Sequence, residues 1–341
     1  MGKVNVLVLR AAGINCDEEV MHAWQLAGAE PTSMHVARLA ERPGLLDYFQ
    51  IVTIPGGFSY GDDIGAGTIL AQRVMQDLAE PLQRLVDRGG GIFGICNGFQ
   101  VLVKAGLLPG SPLGHDQVTV TYNDSAKFEA RWVRLQVCTD RCPFLGEGTK
   151  PSLRPRPALP ASSLTRGAAS PPIPARRDRN TERPPRVKDD QNAEHSRRVK
   201  DHEATKVLEM PVEHAEGKVV TANQGVLEEL ERRGQIALRY VDESGRFDTY
   251  PANPNGSMGG IAGLCDETGR VFGLMPHPDR HLDPTQHPLW TRREGQLARP
   301  DGLSVFLNAV DYWSKTNNRA FGGGQSEMPT TSTPTTPGTT W

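Results

Sequence analysis

Residues 91–100 read GIFGICNGFQ, and the fold of the whole chain can be worked out from this stretch. Gly91 to Ile95 is an apolar run of strand length, while Gly98 to Gly106 carries apolar residues at helical spacing and closes on a glycine. A strand that turns into a helix within one residue puts Cys96 at the corner, in the pattern G-x-C-x-G. Glycines on both sides permit such a corner. The helix N-terminus would point backbone N–H groups and a positive dipole end at the sulfur, favouring the thiolate. That matters because an unperturbed thiol, with a pKa of about 8.5, is mostly protonated at neutral pH. The mechanics are those of the serine elbow G-x-S-x-G with sulfur replacing oxygen. Cysteine is also among the most buried residue types, so a core filler is the competing reading.

Upstream of the elbow, residues 3–9 (KVNVLVL) predict a strand, and residues 18–27 a helix capped by Asp17 with Gly28 beyond it. Gln50 to Ile54 predicts a second strand, running into the turn Pro55-Gly56-Gly57. Residues 67–88 have helical periodicity, interrupted by Pro81. Strands alternating with helices predict an α/β fold with a mostly parallel sheet covered on both faces. From about 131 the texture changes: RWVRLQV, KVLEMPV, QIALRYV and RVFGLMP read as strands with few helices between them, and 301–315 as a closing helix.

Two stretches depart from this pattern. Residues 148–206 hold nine of the 27 prolines and 14 Lys and Arg against seven Asp and Glu, with no aromatic residue. Such a segment buries too little apolar surface to offset its ordering entropy and predicts a solvated insertion; a basic arm for an acidic partner or RNA is the alternative. Residues 321–341 predict a disordered low-complexity tail. Over its 341 residues the chain carries a net charge of −2, which gives no overall reason to expect nucleic acid or an acidic membrane as partner. No apolar run reaches membrane-spanning length. Five cysteines without a C-x-x-C pair favour free thiols and a cytoplasmic setting over disulfides or a structural zinc.

A cysteine nucleophile needs a base and donors for an oxyanion. His277 follows a strand-like run in GLMPHPDRH, and Asp279, two residues on, would project to the same side in an extended segment and orient the imidazole. The turn Pro55-Gly56-Gly57-Phe58 offers free N–H groups, and the N–H of Asn97 offers a second donor by the hydrolase analogy. His214 is a weaker base candidate. His277, Asp279, His281 and His287 cluster in sequence but lack a familiar ligand spacing, so no metal is expected.

Six segments together resemble one family: VLRAAGINCDEE (8–19), IPGGFSYGDDIGAGTILA (54–71), GIFGICNGFQVL (91–102), FEARWV (128–133), PVEHAEGK (211–218) and YPANPNGSMGGIAGLCDETGRVFGLMPHPDR (250–280). The chain resembles the PurQ family, the glutaminase subunits of phosphoribosylformylglycinamidine synthase, within the class I glutamine amidotransferases. That resemblance implies a flavodoxin-like three-layer sandwich: one amidotransferase domain over 1–320, interrupted by 148–206. It implies that Cys96 attacks the side-chain amide of L-glutamine, that His277 carries protons beside Asp279, and that Gly57 and Asn97 hold the oxyanion. Phe58 and Gln100 would contact substrate. Ammonia would pass to an ATP-dependent synthetase subunit (PurL), commonly through an assembly bridged by a small protein (PurS). ATP and Mg would then belong to the synthetase, leaving no cofactor on this chain. The family usually has glutamate where Asp279 stands, glycine where Ala215 stands, and a short connection in place of 148–206. For Asn253, Asn255 and Ser257 a structural turn and a partner contact are both open, as are sheet packing and partner contact for Arg131 and Trp132.

Overall fold

Short apolar runs with β-branched residues supply most of the strands, and helices with one apolar stripe supply the layers over them. A computed structural model describes residues 3–110, 113, 115–146, 206–292 and 299–320, all within one compact unit. In chain order the first half holds β1 (Asn5–Arg10), α1 (Asp17–Leu26), β2 (Glu30–His35), α2 (Val36–Glu41), β3 (Ile51–Ile54), α3 (Thr68–Asp87), β4 (Gly91–Ile95) and α4 (Asn97–Lys104). Then come β5 (Val118–Thr121), β6 (Glu129–Val137), β7 (Val207–His214), β8 (Lys218–Thr221), α5 (Gln224–Arg232), β9 (Ile236–Val241), β10 (Ile261–Cys265), β11 (Val271–Leu274) and α6 (Asp301–Ala320).

Among the described residues nine strands form one sheet in the order β2-β1-β3-β4-β11-β10-β9-β6-β7. The first five are mutually parallel, and the remaining pairings are antiparallel. Only β10 and β6 therefore run against the common direction, and the sheet is mostly parallel as expected. Strands β5 and β8 pair separately, antiparallel.

Strand β4 shows how the layers are set. Alternate side chains face opposite sides of a sheet. Phe93 stacks on Phe272 at 5.4 Å and meets Trp24 of α1 and Phe306 of α6 edge-on at 6.5 and 5.9 Å. Gly94, on the other side, lies against Leu102 of α4. Helices α1 and α6 thus cover one face, with α4 and its neighbour α3 on the other, giving the three layers. Strands β1, β3, β4 and β11 all end on the same edge, where their following loops meet.

Several expectations are corrected. Strands β2, β5, β8 and β10 and helices α2 and α5 were not foreseen; β2 is a polar sequence, EPTSMH, at the sheet's edge. Asp17 does not cap α1: the N-cap position is Cys16, and Asp17, the first helical residue, pairs with Arg10 at 2.8 Å. Pro81 does not interrupt α3, because Leu70, Val74, Leu78, Leu82 and Leu85 continue one buried stripe past it, outweighing the roughly 3 kcal/mol a mid-helix proline costs. Helix α6 runs to Ala320. The expectations for 148–206 and 321–341 lie outside the described residues, save Lys206, whose ammonium donates to the Leu145 carbonyl at 2.8 Å. Among the described residues no helix is long and apolar enough to cross a membrane.

Candidate active site

Cys96 stands between β4 and α4 with φ 51° and ψ −106°, a left-handed conformation that non-glycine residues rarely hold. The corner is possible because Gly98 has no side chain: a Cβ there would lie 1.9 Å from the Ile54 carbonyl oxygen. The Cys96 N–H donates to the Leu274 carbonyl at 2.8 Å, tying the elbow to β11. Its sulfur contacts the Glu213 carbonyl of β7 at 3.6 Å. These contacts fix the sulfur at the carboxyl edge of the sheet, above the start of α4.

His277 follows β11 and donates its backbone N–H to Pro211 of β7 at 2.8 Å. Burial opposes charging its ring, but the Cys96 thiolate and then the Asp279 carboxylate outweigh burial, so its pKa is raised well above the ordinary histidine value. Cys96 and His277 thus stand as a close electrostatic pair. Gly56 makes room for it: a Cβ at this position would lie 2.9 Å from His277 Cε1 and 3.5 Å from Cys96 Cβ.

Asp279 does stand beside His277, although not by the extended geometry that spacing implied. Residues Pro278–Arg280 form a 3-10 turn that folds the carboxylate back onto the ring. Asp279 Oδ1 reaches Nδ1 at 3.4 Å, a charge contact that fails as a hydrogen bond.

The loop after β3 lies alongside. Phe58 N–H donates to Gly13 at 2.9 Å and Asn15 N–H to Gly56 at 3.4 Å, around an Ile14–Gly57 bridge. In this antiparallel pattern the Gly57 N–H points away from the ladder and is unpaired among the described residues. The Asn97 N–H, in the first turn of α4, has no intrahelical acceptor either. The Asn97 side chain holds the two donors together: it accepts from Ser59 N–H at 3.1 Å and donates to Asp62 at 3.1 Å and Gln100 at 2.9 Å.

Gln100 is buried, and its amide is engaged at both ends, by Asn97 and by the Glu216 carbonyl. It therefore braces the elbow instead of standing open to substrate. Phe58 is half exposed. His214 is corrected as a base candidate: burial and the nearby His277 charge lower its pKa to about 4, and Nδ1 bonds Asn123 Oδ1 at 3.1 Å. His281 and His287 lie elsewhere, edge-on to Trp132 at 4.9 and 4.5 Å and held by Glu209, which favours packing for Trp132. Arg131 lies over the exposed Tyr250 ring at 4.8 Å. Asn253, Asn255 and Ser257 are buried; Asn255 donates to Gly217 at 2.7 Å and Ser257 accepts from Val219 at 3.0 Å, so they fasten β8.

A strained elbow cysteine beside a histidine and two backbone N–H groups that are free among the described residues can open a carboxamide through a thioester. The family model for a CobB/CobQ-like glutamine amidotransferase domain matches residues 3–154 and 182–313. Phosphoribosylformylglycinamidine synthase subunit PurQ of Dehalococcoides mccartyi is 38% identical over 314 residues, spanning 92% of this chain and 98% of its own. The chain belongs to the PurQ family of glutamine amidotransferases. The PurQ subunit of Archaeoglobus fulgidus is 35% identical over 328 residues, spanning 92% of this chain and 98% of its own. The structure of PurLQS from Thermotoga maritima matches at a TM-score of 0.56 and 25% identity, covering 91% of this chain and 99% of that one.

Three supports of this PurQ-family site escaped the sequence. Asp62 accepts from Asn97 and from Gly67 N–H at 3.2 Å, and burial raises its pKa. Asn123 donates to the carbonyls of His214 and Lys127, each at 2.9 Å, and pins the PVEHAEGK segment. Arg280 bonds Glu213 at 3.0 Å and approaches the Cys16 sulfur at 3.6 Å. Only their place inside the quoted motifs, or beside them, marked them out.

Proposed function

We propose that this chain is the glutaminase subunit of phosphoribosylformylglycinamidine synthase. It hydrolyses L-glutamine to glutamate and ammonia and passes the ammonia to the ATP-dependent synthetase subunit, which makes formylglycinamidine ribonucleotide in de novo purine biosynthesis. The observation that carries this reading is the Cys96–His277 pair at a left-handed elbow, in a chain that matches the PurQ family over most of its length.

In this mechanism the Cys96 thiolate attacks the side-chain amide carbon of glutamine, and the N–H groups of Gly57 and Asn97 receive the oxyanion. His277 gives its proton to the departing nitrogen, so ammonia leaves and a glutamyl thioester remains. His277, now neutral, takes a proton from water as the water attacks the thioester; glutamate leaves and the ion pair is restored. Asp279 holds the imidazolium electrostatically. Phe58 borders the incoming glutamine, while Gln100 acts through Asn97.

The chemistry assigned to this chain needs no cofactor; ATP and Mg act on the synthetase subunit. A small bridging subunit of the PurS kind completes the assembly, in keeping with the PurLQS complex of Thermotoga maritima. The five free cysteines suit a cytoplasmic setting.

The test is glutamate release from L-glutamine, with and without the cognate synthetase. Release that needs Cys96 and rises with the synthetase supports a coupled glutaminase. Release unchanged by the synthetase would point to a free-standing hydrolase instead.

A further inference from the structure

Beside the Cys96–His277 pair lies a set of donors that the proposed mechanism does not use in full. Cys16, His277 and Asp279 are all buried, and one ligand atom from each lies within 4.8 Å of the other two. Among the described residues, His277 Nδ1 and both carboxylate oxygens of Asp279 have no hydrogen-bond partner, and the Asp279 side chain is fully buried. Buried polar atoms are nearly always partnered, so three orphans in one place require an explanation.

Their spacing provides one. The 3.4 Å between His277 Nδ1 and Asp279 Oδ1 is long for a hydrogen bond. It equals the ligand–ligand edge of a tetrahedral zinc site, about 3.4 Å for Zn–N and Zn–O bonds near 2.1 Å. The Cys16 sulfur, within 4.8 Å of both, closes a triangular face after a shift of about 1 Å, because a Zn–S bond near 2.3 Å sets that edge at about 3.6 Å. Cys16 and His277 meet at Gly56, where no Cβ stands between them. The charge balances once the metal displaces the Cys16 thiol proton, which burial and then the Asp279 charge otherwise retain: thiolate and carboxylate offset a divalent ion, and Arg280, which donates to the Cys16 sulfur at 3.6 Å, has its counter-charge in Glu213 at 3.0 Å.

We infer that Cys16, His277 and Asp279 form an inhibitory site for a borderline divalent cation, of which Zn²⁺ is the representative. A metal on Nδ1 displaces that nitrogen's proton to solvent, which leaves the imidazole one proton, at Nε2, and no free ring nitrogen to accept another. His277 then cannot serve as the base that the proposed function requires, on which the inhibition rests; the binding itself does not depend on it. The ion silences the site and takes no part in catalysis.

The experiment uses the full chain and Zn²⁺ alone, in a non-chelating buffer. With Cys96→Ala, which removes the elbow thiol, calorimetry is expected to show zinc binding that weakens at least roughly tenfold when Cys16→Ser is added. Co²⁺ in place of Zn²⁺ should give a thiolate-to-metal charge-transfer band that disappears with the same change. In the parent chain zinc should suppress glutamate release, reversibly with chelator, and Cys16→Ser alone should keep its activity, which reports correct folding, while losing the sensitivity. Equal zinc affinity with and without Cys16 overturns the proposal, as does the absence of zinc binding by the Cys96→Ala chain. Failure of glutamate release in every mixture would count against the glutaminase reading and would leave the binding result standing.

Discussion

Acidification should destabilise this protein through His214, and the size of the effect follows from its surroundings. His214 is 3% exposed. Burial first, and the His277 charge second, lower its pKa to about 4. In the unfolded chain the same ring titrates near 6.5. Above that value both states are neutral and no stability is lost. Between about 6.5 and 4 the unfolded chain takes up a proton that the folded chain refuses, so stability falls as pH falls. At about 1.4 kcal/mol per unit, the loss by pH 4 is about 3 kcal/mol, a large part of a typical 5–15 kcal/mol. His277 does not confuse the window: its pKa is raised, so its contribution is complete below the unfolded value and is lost only as pH rises through the folded one. The assay is urea unfolding at pH 7 and at pH 4 for the parent and for His214→Asn, whose amide can still donate to Asn123. The parent should lose about 3 kcal/mol more than the variant across that interval. Equal losses would refute the claim that a neutral buried His214 sets the acid limit.

Other outcomes follow from the same contacts. Cys96→Gly should be more stable than Cys96→Ala by about 1 kcal/mol, since glycine relieves the left-handed strain at some cost in chain entropy; equal melting midpoints would mean that the elbow is unstrained. Gly56→Ala should lower kcat for glutamine hydrolysis by roughly 10²-fold, because its methyl displaces the His277 ring; kinetics within twofold of the parent would count against this packing. Asp279→Asn removes a charge that raises the His277 pKa, so the alkaline limb of the kcat/KM profile should move to lower pH; an unmoved limb would show that the 3.4 Å contact does nothing.

The sequence made the elbow legible because the geometry it needs leaves marks: small residues at 94 and 98, an apolar strand before, a helical stripe after. It made the strands β1, β3, β4 and β11 legible for the same reason, since strands buried on both faces read as mostly apolar runs. Where packing is one-sided or polar the signal faded. EPTSMH becomes β2 only because β1 offers it a parallel edge along Asn5–Arg10. Pro81 read as a break because local propensity says so, and tertiary burial of its helix overrode it. The His277–Asp279 pairing was expected for the wrong geometric reason: the side chains meet through a 3-10 turn, a shape that prolines at 276 and 278 permit but period-two reasoning cannot see. The sequence points to Asn97 for its N–H, whereas its side chain also organises the loop, a role visible only once residues 59, 62 and 100 are brought together.

The most direct test of ammonia production at Cys96 is formation of the amidine product by the assembled synthase, supplied with either L-glutamine or an ammonium salt. Cys96→Ala should abolish glutamine-dependent synthesis and leave ammonia-dependent synthesis at the parent rate. Loss of both activities would assign Cys96 to assembly instead of chemistry, and survival of the glutamine-dependent activity would contradict the nucleophile outright.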